Sequence, residues 1–173
     1  MPYELHVVRT SEGDSPTVNY DREKSDAATN GRLPIGIQLQ NQSSSRLREF
    51  DTGYRMDVSP EAGAVRLITD GTSPTVDIGA ETITLTTEDE KMVSGSYDAF
   101  ERLWAALACF PAQNGFEVRD PQLGRAVDPV EGSEDRAAVE ARFMKQAETA
   151  QRAAAMAESD GSKRWWAKFF KTA

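Results

Sequence analysis

The stretch SGSYDAFERLWAALACFPAQNGFEVRDPQLGRAV, Ser94–Val127, decides the fold. Ser94-Gly95-Ser96 ends one segment, and Ser96 is of the type that caps a following helix. Tyr97, Phe100, Leu103, Trp104, Leu107 and Ala108 recur at three- and four-residue steps, the spacing of one helix face. Pro111, which lacks the N–H that another turn would use, stops that helix just after Cys109 and Phe110. Asn114-Gly115 turns the chain, and Phe116-Glu117-Val118 alternates as a strand does. Asp120-Pro121-Gln122-Leu123-Gly124 turns it again into Arg125-Ala126-Val127. A helix carrying large aromatic side chains needs a sheet to bury them. The stretch therefore predicts an α+β core with this helix as its lid.

Upstream, Tyr3, Leu5 and Val7 alternate with Glu4, His6 and Val8, a first strand with one apolar face. Thr10 to Arg32 is polar and holds Gly13, Pro16, Asn30 and Gly31, which predicts a long loop. Pro34-Ile35-Gly36-Ile37-Gln38-Leu39 resumes a period of two, and Gln40–Ser45 reads as another polar loop. Tyr54, Met56 and Val58 alternate, and Pro60-Glu61-Ala62-Gly63 turns the chain back. Val65, Leu67 and Ile68 follow, then Asp70-Gly71 turns into Val76 and Ile78, and Ile83 and Leu85 close the series. Short strands at such close spacing predict a mainly antiparallel sheet, with one helix packed on a face.

Downstream, Asp128-Pro129-Val130-Glu131-Gly132 marks a domain edge, giving a core domain over residues 1–130. Ser133, Glu134 and Asp135 open a C-terminal helical extension within residues 131–158, the acids lying at its positive end. Val139, Phe143, Ala147, Ala150, Ala154 and Ala157 form a narrow stripe with few large residues, so docking on the core is weakly driven. Residues 159–173 read as a flexible break, Ser159–Ser162, and a basic-aromatic tail. Trp165, Trp166, Phe169 and Phe170 fall at i, i+1, i+4 and i+5, which gathers them on one side of a helix beside Lys163, Lys168 and Lys171. Three coverings compete for them: the acidic body, the plane of a membrane surface, and a groove in a partner.

At 173 residues, with 39% apolar and 28% charged side chains, the chain has room for one core and an appendage. Met1–Val8 lacks the basic patch and apolar run of a secretory signal, and no apolar run approaches the ~20 residues of a spanning helix. The single cysteine rules out an internal disulfide and fits a reducing compartment, so a cytoplasmic protein is expected. The net charge of −8 is unevenly spread: residues 1–130 carry 12 basic and 21 acidic groups, or −9, while residues 163–173 carry +4. An acidic body repels nucleic-acid phosphates and favours encounter with a basic protein.

Little in the chain points to catalysis. His6 is the only histidine, on the strand face opposite Tyr3, Leu5 and Val7, and reads as a structural or surface residue. Cys109 lies near the apolar helix face, where a thiol behaves as a small hydrophobe. One histidine and one cysteine cannot build a zinc site of several such ligands. The sequence contains no Gly-rich phosphate loop and no dinucleotide fingerprint, so neither cofactor nor metal is expected. Glu88-Asp89-Glu90 reads as a solvated acidic turn without the spacing of a calcium loop. Asp120, Gln122 and Arg125 cluster at a hairpin tip whose Asp-Pro and Leu-Gly steps are turn chemistry first. These two sets are the candidate partner-binding residues.

The Met-x-Tyr-x-Leu opening at Met1–Leu5, the polar loop and short strands, and the closing helix with Asp120-Pro121-Gln122-Leu123-Gly124-Arg125 resemble a loose group of small bacterial α+β proteins. Some of these are immunity proteins that protect a bacterium from toxins delivered by neighbours. The resemblance implies a non-catalytic chain that neutralises a cognate toxin by direct binding, and the acidic body implies that this toxin is basic. The alternative is a peripheral membrane or secretion-apparatus accessory protein that docks through its basic-aromatic tail.

Overall fold

The computed structural model describes residues 1–10, 34–59, 64–111, 115–130 and 132–169, without the side chains of 58, 59, 64 and 158–169. The expected long loop and the turn at Pro60–Gly63 lie outside the described residues. In chain order the elements are β1 (Tyr3–Arg9), α1 (Ile37–Phe50), β2 (Arg55–Ser59), β3 (Ala64–Ile68), β4 (Thr75–Ile78), β5 (Thr82–Thr87), α2 (Asp89–Ala106), β6 (Phe116–Asp120), β7 (Arg125–Val127) and α3 (Glu134–Phe169). A short 3₁₀ turn, Leu107–Cys109, closes α2.

The strands form one seven-stranded sheet in the order β2-β3-β4-β5-β1-β6-β7, antiparallel at every pairing. The chain is thus α+β with a C-terminal helix. Strand register explains how the alternation builds the core. Val127, Val118, Val7, Ile83, Ile78 and Val65 align across the sheet as one row. Leu5, Leu85, Val76, Leu67 and Met56 align as the next. Because side chains alternate between faces, both rows point to the same side, where all but the edge residue Met56 join α1, α2 and α3 in a single apolar core. The opposite face is polar, with Glu4, His6, Arg66, Asp77, Thr84, Thr86, Glu117 and Arg119 all half-buried or exposed. Here Arg66 binds the Asp77 carboxylate across the β3–β4 pair through two hydrogen bonds of 2.7 and 3.0 Å.

Pro34–Leu39 is not the expected strand, and Gln40–Ser45 is not a loop: α1 begins at Ile37, after Gly36 as its N-cap residue, and runs through Gln40–Ser45. Its buried positions are Leu39, Gln40, Ser43, Ser44 and Leu47, a four-residue recurrence in which only the two leucines are apolar. Gln40 is satisfied inside by donating to the carbonyls of Ile35, at 3.0 Å, and Gly79, at 3.3 Å. Ile37, one of the apparent strand residues, is 75% exposed.

Helix α2 begins earlier than Ser96. Glu88 is its N-cap residue, and Asp89 and Glu90 occupy its first turn. Gly95 interrupts it with extended backbone (φ −174°, ψ 72°), so the expected break is present but flanked by helical turns on both sides. Past the break, the buried arc is Phe100, Leu103, Trp104 and Leu107, widened by Ala99 and Ala106. Tyr97 and Ala108 sit on the flank of the arc beside Glu101 and are exposed, contrary to expectation.

Helix α3 docks more firmly than its narrow stripe suggests. Val139, Phe143 and Ala147 are sealed in the core, with Phe143 5.2 Å from the Tyr3 ring and 5.5 Å from the Phe100 ring. Small alanines let α3 approach α2 closely, and one phenylalanine fills the space between them. The start of α3 is capped by Ser133, whose Oγ accepts from the Arg136 N–H at 3.1 Å. Residues 151–153 and 155–157 are exposed, and the helical backbone continues unbroken through Ser159–Ser162, where a break was expected. A glycine inside a helix costs about 1 kcal/mol relative to alanine, which Gly161 in a long helix can absorb without ending it.

Phe143→Ala is expected to lower the unfolding free energy by about 3–5 kcal/mol in urea denaturation. Ala157→Ser, on the exposed continuation of the same helix, is expected to stay within about 0.5 kcal/mol.

Candidate functional site

Helices α2 and α3 run side by side, and the seam between them holds a groove of about 670 Å³. Asp89, Glu90 and Val93 from α2, with Met1, form one wall. Arg142, Lys145, Gln146, Thr149 and the alanines from Ala150 onward form the other. The wall geometry follows from the capping of α2. The Glu88 carbonyl accepts from the N–H groups of Lys91 and Met92 at 3.1 and 3.2 Å, and its carboxylate binds the Thr75 hydroxyl and, at 3.1 Å, the Lys91 ammonium. Asp89 receives the Met1 amino group at 2.7 Å. Gln146 of α3 donates to the Pro2 carbonyl at 2.7 Å, which ties the first residues across the end of the seam.

Two residues past Gly95, Tyr97 lies outside the groove's lining, faces Glu140 of α3 and is 63% exposed. The Glu101 carboxylate, by its charge and by accepting the phenol's hydrogen bond, raises the Tyr97 hydroxyl above its ordinary value, and Glu140 of α3 adds to this. Arg136 binds Glu101 and lies over the Phe100 ring, 5.5 Å from its centre. Val93 and Tyr97 are thus exposed along α2, with Glu90 beside the first and Glu101 and Glu140 beside the second, while Arg142 and Lys145 stand on the facing wall of the groove.

The second set of candidate residues is elsewhere. Asp120 ends β6 with no exposed surface. Its Oδ1 accepts from the N–H groups of Gln122, at 2.7 Å, and Leu123, at 2.9 Å, while its Oδ2 accepts from the Tyr3 hydroxyl at 2.5 Å. Burial first, then the Asp120 hydrogen bond, pushes the Tyr3 phenol well above its ordinary range. Gly124, at φ 69°, supplies the left-handed residue that closes this turn. Gln122 is half-buried, and Arg125 pairs with Asp135 at the start of α3. Asp120 and Arg125 border a smaller cavity of about 450 Å³ that is also lined by His6, Glu117 and Arg119. Of the candidate residues, Asp89 and Glu90 thus line the groove, Glu88 braces it, and Asp120, Gln122 and Arg125 build a hairpin outside it.

His6 lies on the polar face with its Nε2 3.6 Å from the Glu4 carboxylate, beyond hydrogen-bond length. Burial pushes the Cys109 thiol up to about 11, which keeps it protonated and unreactive near neutral pH. Among the described residues, no group of three or more His, Cys, Asp and Glu side chains is placed to hold a metal ion. No helix among them is long and apolar enough to cross a membrane. Trp165, Trp166 and Phe169 are on helical backbone, whereas Phe170 lies outside the described residues.

The sequence reading missed Val93, Arg142, Lys145 and Gln146 as site residues. A signal was present: Arg142, Lys145, Gln146 and Thr149 flank the Phe143–Ala150 stripe at helical spacing. Compared with protein-family models, with curated proteins and with solved structures, the chain matches none.

Tyr3→Phe leaves one oxygen of the buried Asp120 carboxylate without its donor, and is expected to cost about 1–3 kcal/mol in urea denaturation. Two carboxylates also make stability depend on acid. A Ser73 hydrogen bond holds Asp51, and the Asp128 N–H with Arg125 holds Asp135, below the ordinary 3.8. A folded value below the unfolded one gives stability that is present above pH 3.8 and lost as pH falls through the folded values. The Asp51→Asn/Asp135→Asn variant is expected to show a shallower loss of melting temperature below about pH 4 than the parent chain.

Proposed function

We propose that the chain is a non-catalytic protein-binding module that engages a basic protein partner through the α2–α3 seam, most concretely as an immunity protein that neutralises a cognate bacterial toxin. The observation that carries this reading is the exposure of Tyr97 and Val93 with the carboxylates of Glu90, Glu101 and Glu140 beside them. Tyrosine supplies large contact area at low entropic cost and is enriched where binding energy concentrates. Glu90, Glu101 and Glu140 beside those anchors steer a basic surface toward them and speed encounter at low salt. The −9 charge of residues 1–130 supports the same sign of partner, and the resemblance at Met1–Leu5 and Asp120–Arg125 supports the immunity role.

The second reading, a peripheral membrane or secretion-apparatus accessory protein, is favoured by one observation. The helical backbone of α3 reaches Phe169, and a helix is the form in which the spacing of Trp165, Trp166 and Phe169 makes one face. The two readings separate cleanly, because one uses the seam and the other residues 163–173.

The tagged full-length chain is expected to retain a basic protein from its native host, and Tyr97→Ala/Val93→Ala is expected to weaken that binding at least tenfold by surface plasmon resonance. Raising salt from low to physiological levels is expected to slow association. Expression of the captured protein alone is expected to arrest growth, and co-expression of this chain to restore it. Binding that ignores both substitutions, or a captured protein without toxicity, refutes the reading. Association with anionic vesicles that disappears on deleting residues 163–173 establishes the second one instead.

A further inference from the structure

We propose that the chain pairs with a second copy of itself through β2, joining two sheets edge to edge in an antiparallel register centred on Met56. Among the described residues, β2 has a strand neighbour on one side only, β3. A strand bonded on one side presents alternate N–H and C=O groups outward, a template for another strand. The other edge of the sheet is poorly suited to this, since β7 has three residues and its Arg125 is tied to Asp135. β2 has five residues without Pro or Gly, and its Met56 is 46% exposed although it belongs to the inward row.

The charge pattern of β2 selects the occupant. Arg55 and Asp57 flank Met56 and share the face opposite to it. A two-fold axis allows a few antiparallel registers, and in each of them the central residue faces its own copy. Centred on Arg55, two guanidinium groups oppose each other; centred on Asp57, two carboxylates do. Centred on Met56, Arg55 of each copy faces Asp57 of the other, and the two methionines meet on the inward face. Opposite charges directly across an antiparallel pair stabilise it and like charges destabilise it, so the sequence of β2 is complementary to itself in that one register. The same register extends the row Leu5, Leu85, Val76, Leu67 and Met56 into the second copy.

Both charges are solvent-exposed, and their attractions within their own chain, Arg55 to Asp70 and Asp57 to Arg66, are ones that water screens. Arg55 meets Asp70 at 2.7 Å, but both side chains are more than half exposed, where such a pair contributes little. Asp57 lies opposite Arg66, which is committed to Asp77 by two hydrogen bonds.

Sedimentation velocity of the full-length chain from micromolar to millimolar concentration is the test. The expected result is a reversible monomer–dimer equilibrium. Arg55→Asp and Asp57→Arg are each expected to weaken it at least tenfold, because each turns both facing pairs into like charges. The double variant, R55D/D57R, is expected to restore it, and an equimolar mixture of the two single variants to form a heterodimer. Circular dichroism checks that each variant is folded. For the unaltered chain, amide hydrogen exchange over residues 55–59 is expected to slow as concentration rises. A chain that stays monomeric throughout, a dimer indifferent to the single reversals, reversals that neither rescue restores, or exchange over residues 55–59 unchanged with concentration would overturn the proposal.

Discussion

A carboxylate shut away from water holds the two halves of this chain in register. Asp120 is fully buried, and a buried charge is tolerated only when donors replace its hydration. Those donors come from two places: the turn that follows it, through the N–H groups of Gln122 and Leu123, and the first strand, through the Tyr3 hydroxyl. β1 is therefore anchored between β5 and β6 by chemistry as well as by the apolar rows that cross it. The Tyr3 ring in turn receives Phe143, which connects the same point to α3. Shifting β1 by one residue would carry Tyr3 to the polar face and leave the carboxylate short of a donor, so a single register satisfies both demands.

The parts of the fold legible in the sequence are those where each period carried its own apolar residues. β1, β4, β5 and β6 alternate visibly because one face meets the core and the other meets solvent. The Phe100–Leu107 face of α2 is equally plain. α1 was hidden because its inward positions include Gln40, Ser43 and Ser44, whose burial depends on partners elsewhere in the chain. The nearby Ile35, Ile37 and Leu39 offered a false period of two. The seam was harder still. Tyr97 shares the spacing of the buried residues, and its exposure follows from the arc being widened toward Ala99 and Ala106 on the other side. Asp120 could be read as a turn residue, but its link to Tyr3 spans most of the chain and leaves no local mark.

Docking of α3 shows how a weak stripe becomes a firm contact. Alanines at Ala147 and Ala150 contribute little area each, yet they permit close approach, and Phe143 then packs against two rings at once. Arg136 adds a guanidinium over Phe100 while its charge is held by Glu101. This arrangement consumes the inward side of α3 and leaves its flank to form a wall of the groove. The first residues complete that wall through Asp89 and Gln146.

The two proposed interaction surfaces do not compete for the same part of the molecule. β2 stands at one end of the strand order, four places from β1, and Tyr3 on β1 is where α3 packs. Pairing through β2 extends the sheet in its own plane, whereas the α2–α3 seam belongs to the helical layer above it. Arg55 and Asp57 project to the face away from the helices, so the charges that set the sheet register are remote from Glu90, Glu101 and Glu140. A second copy at β2 therefore leaves Tyr97 and Val93 exposed, and a two-fold assembly presents two seams. For a steered encounter with a basic partner, doubling the acidic surface in one particle strengthens the field without altering either contact.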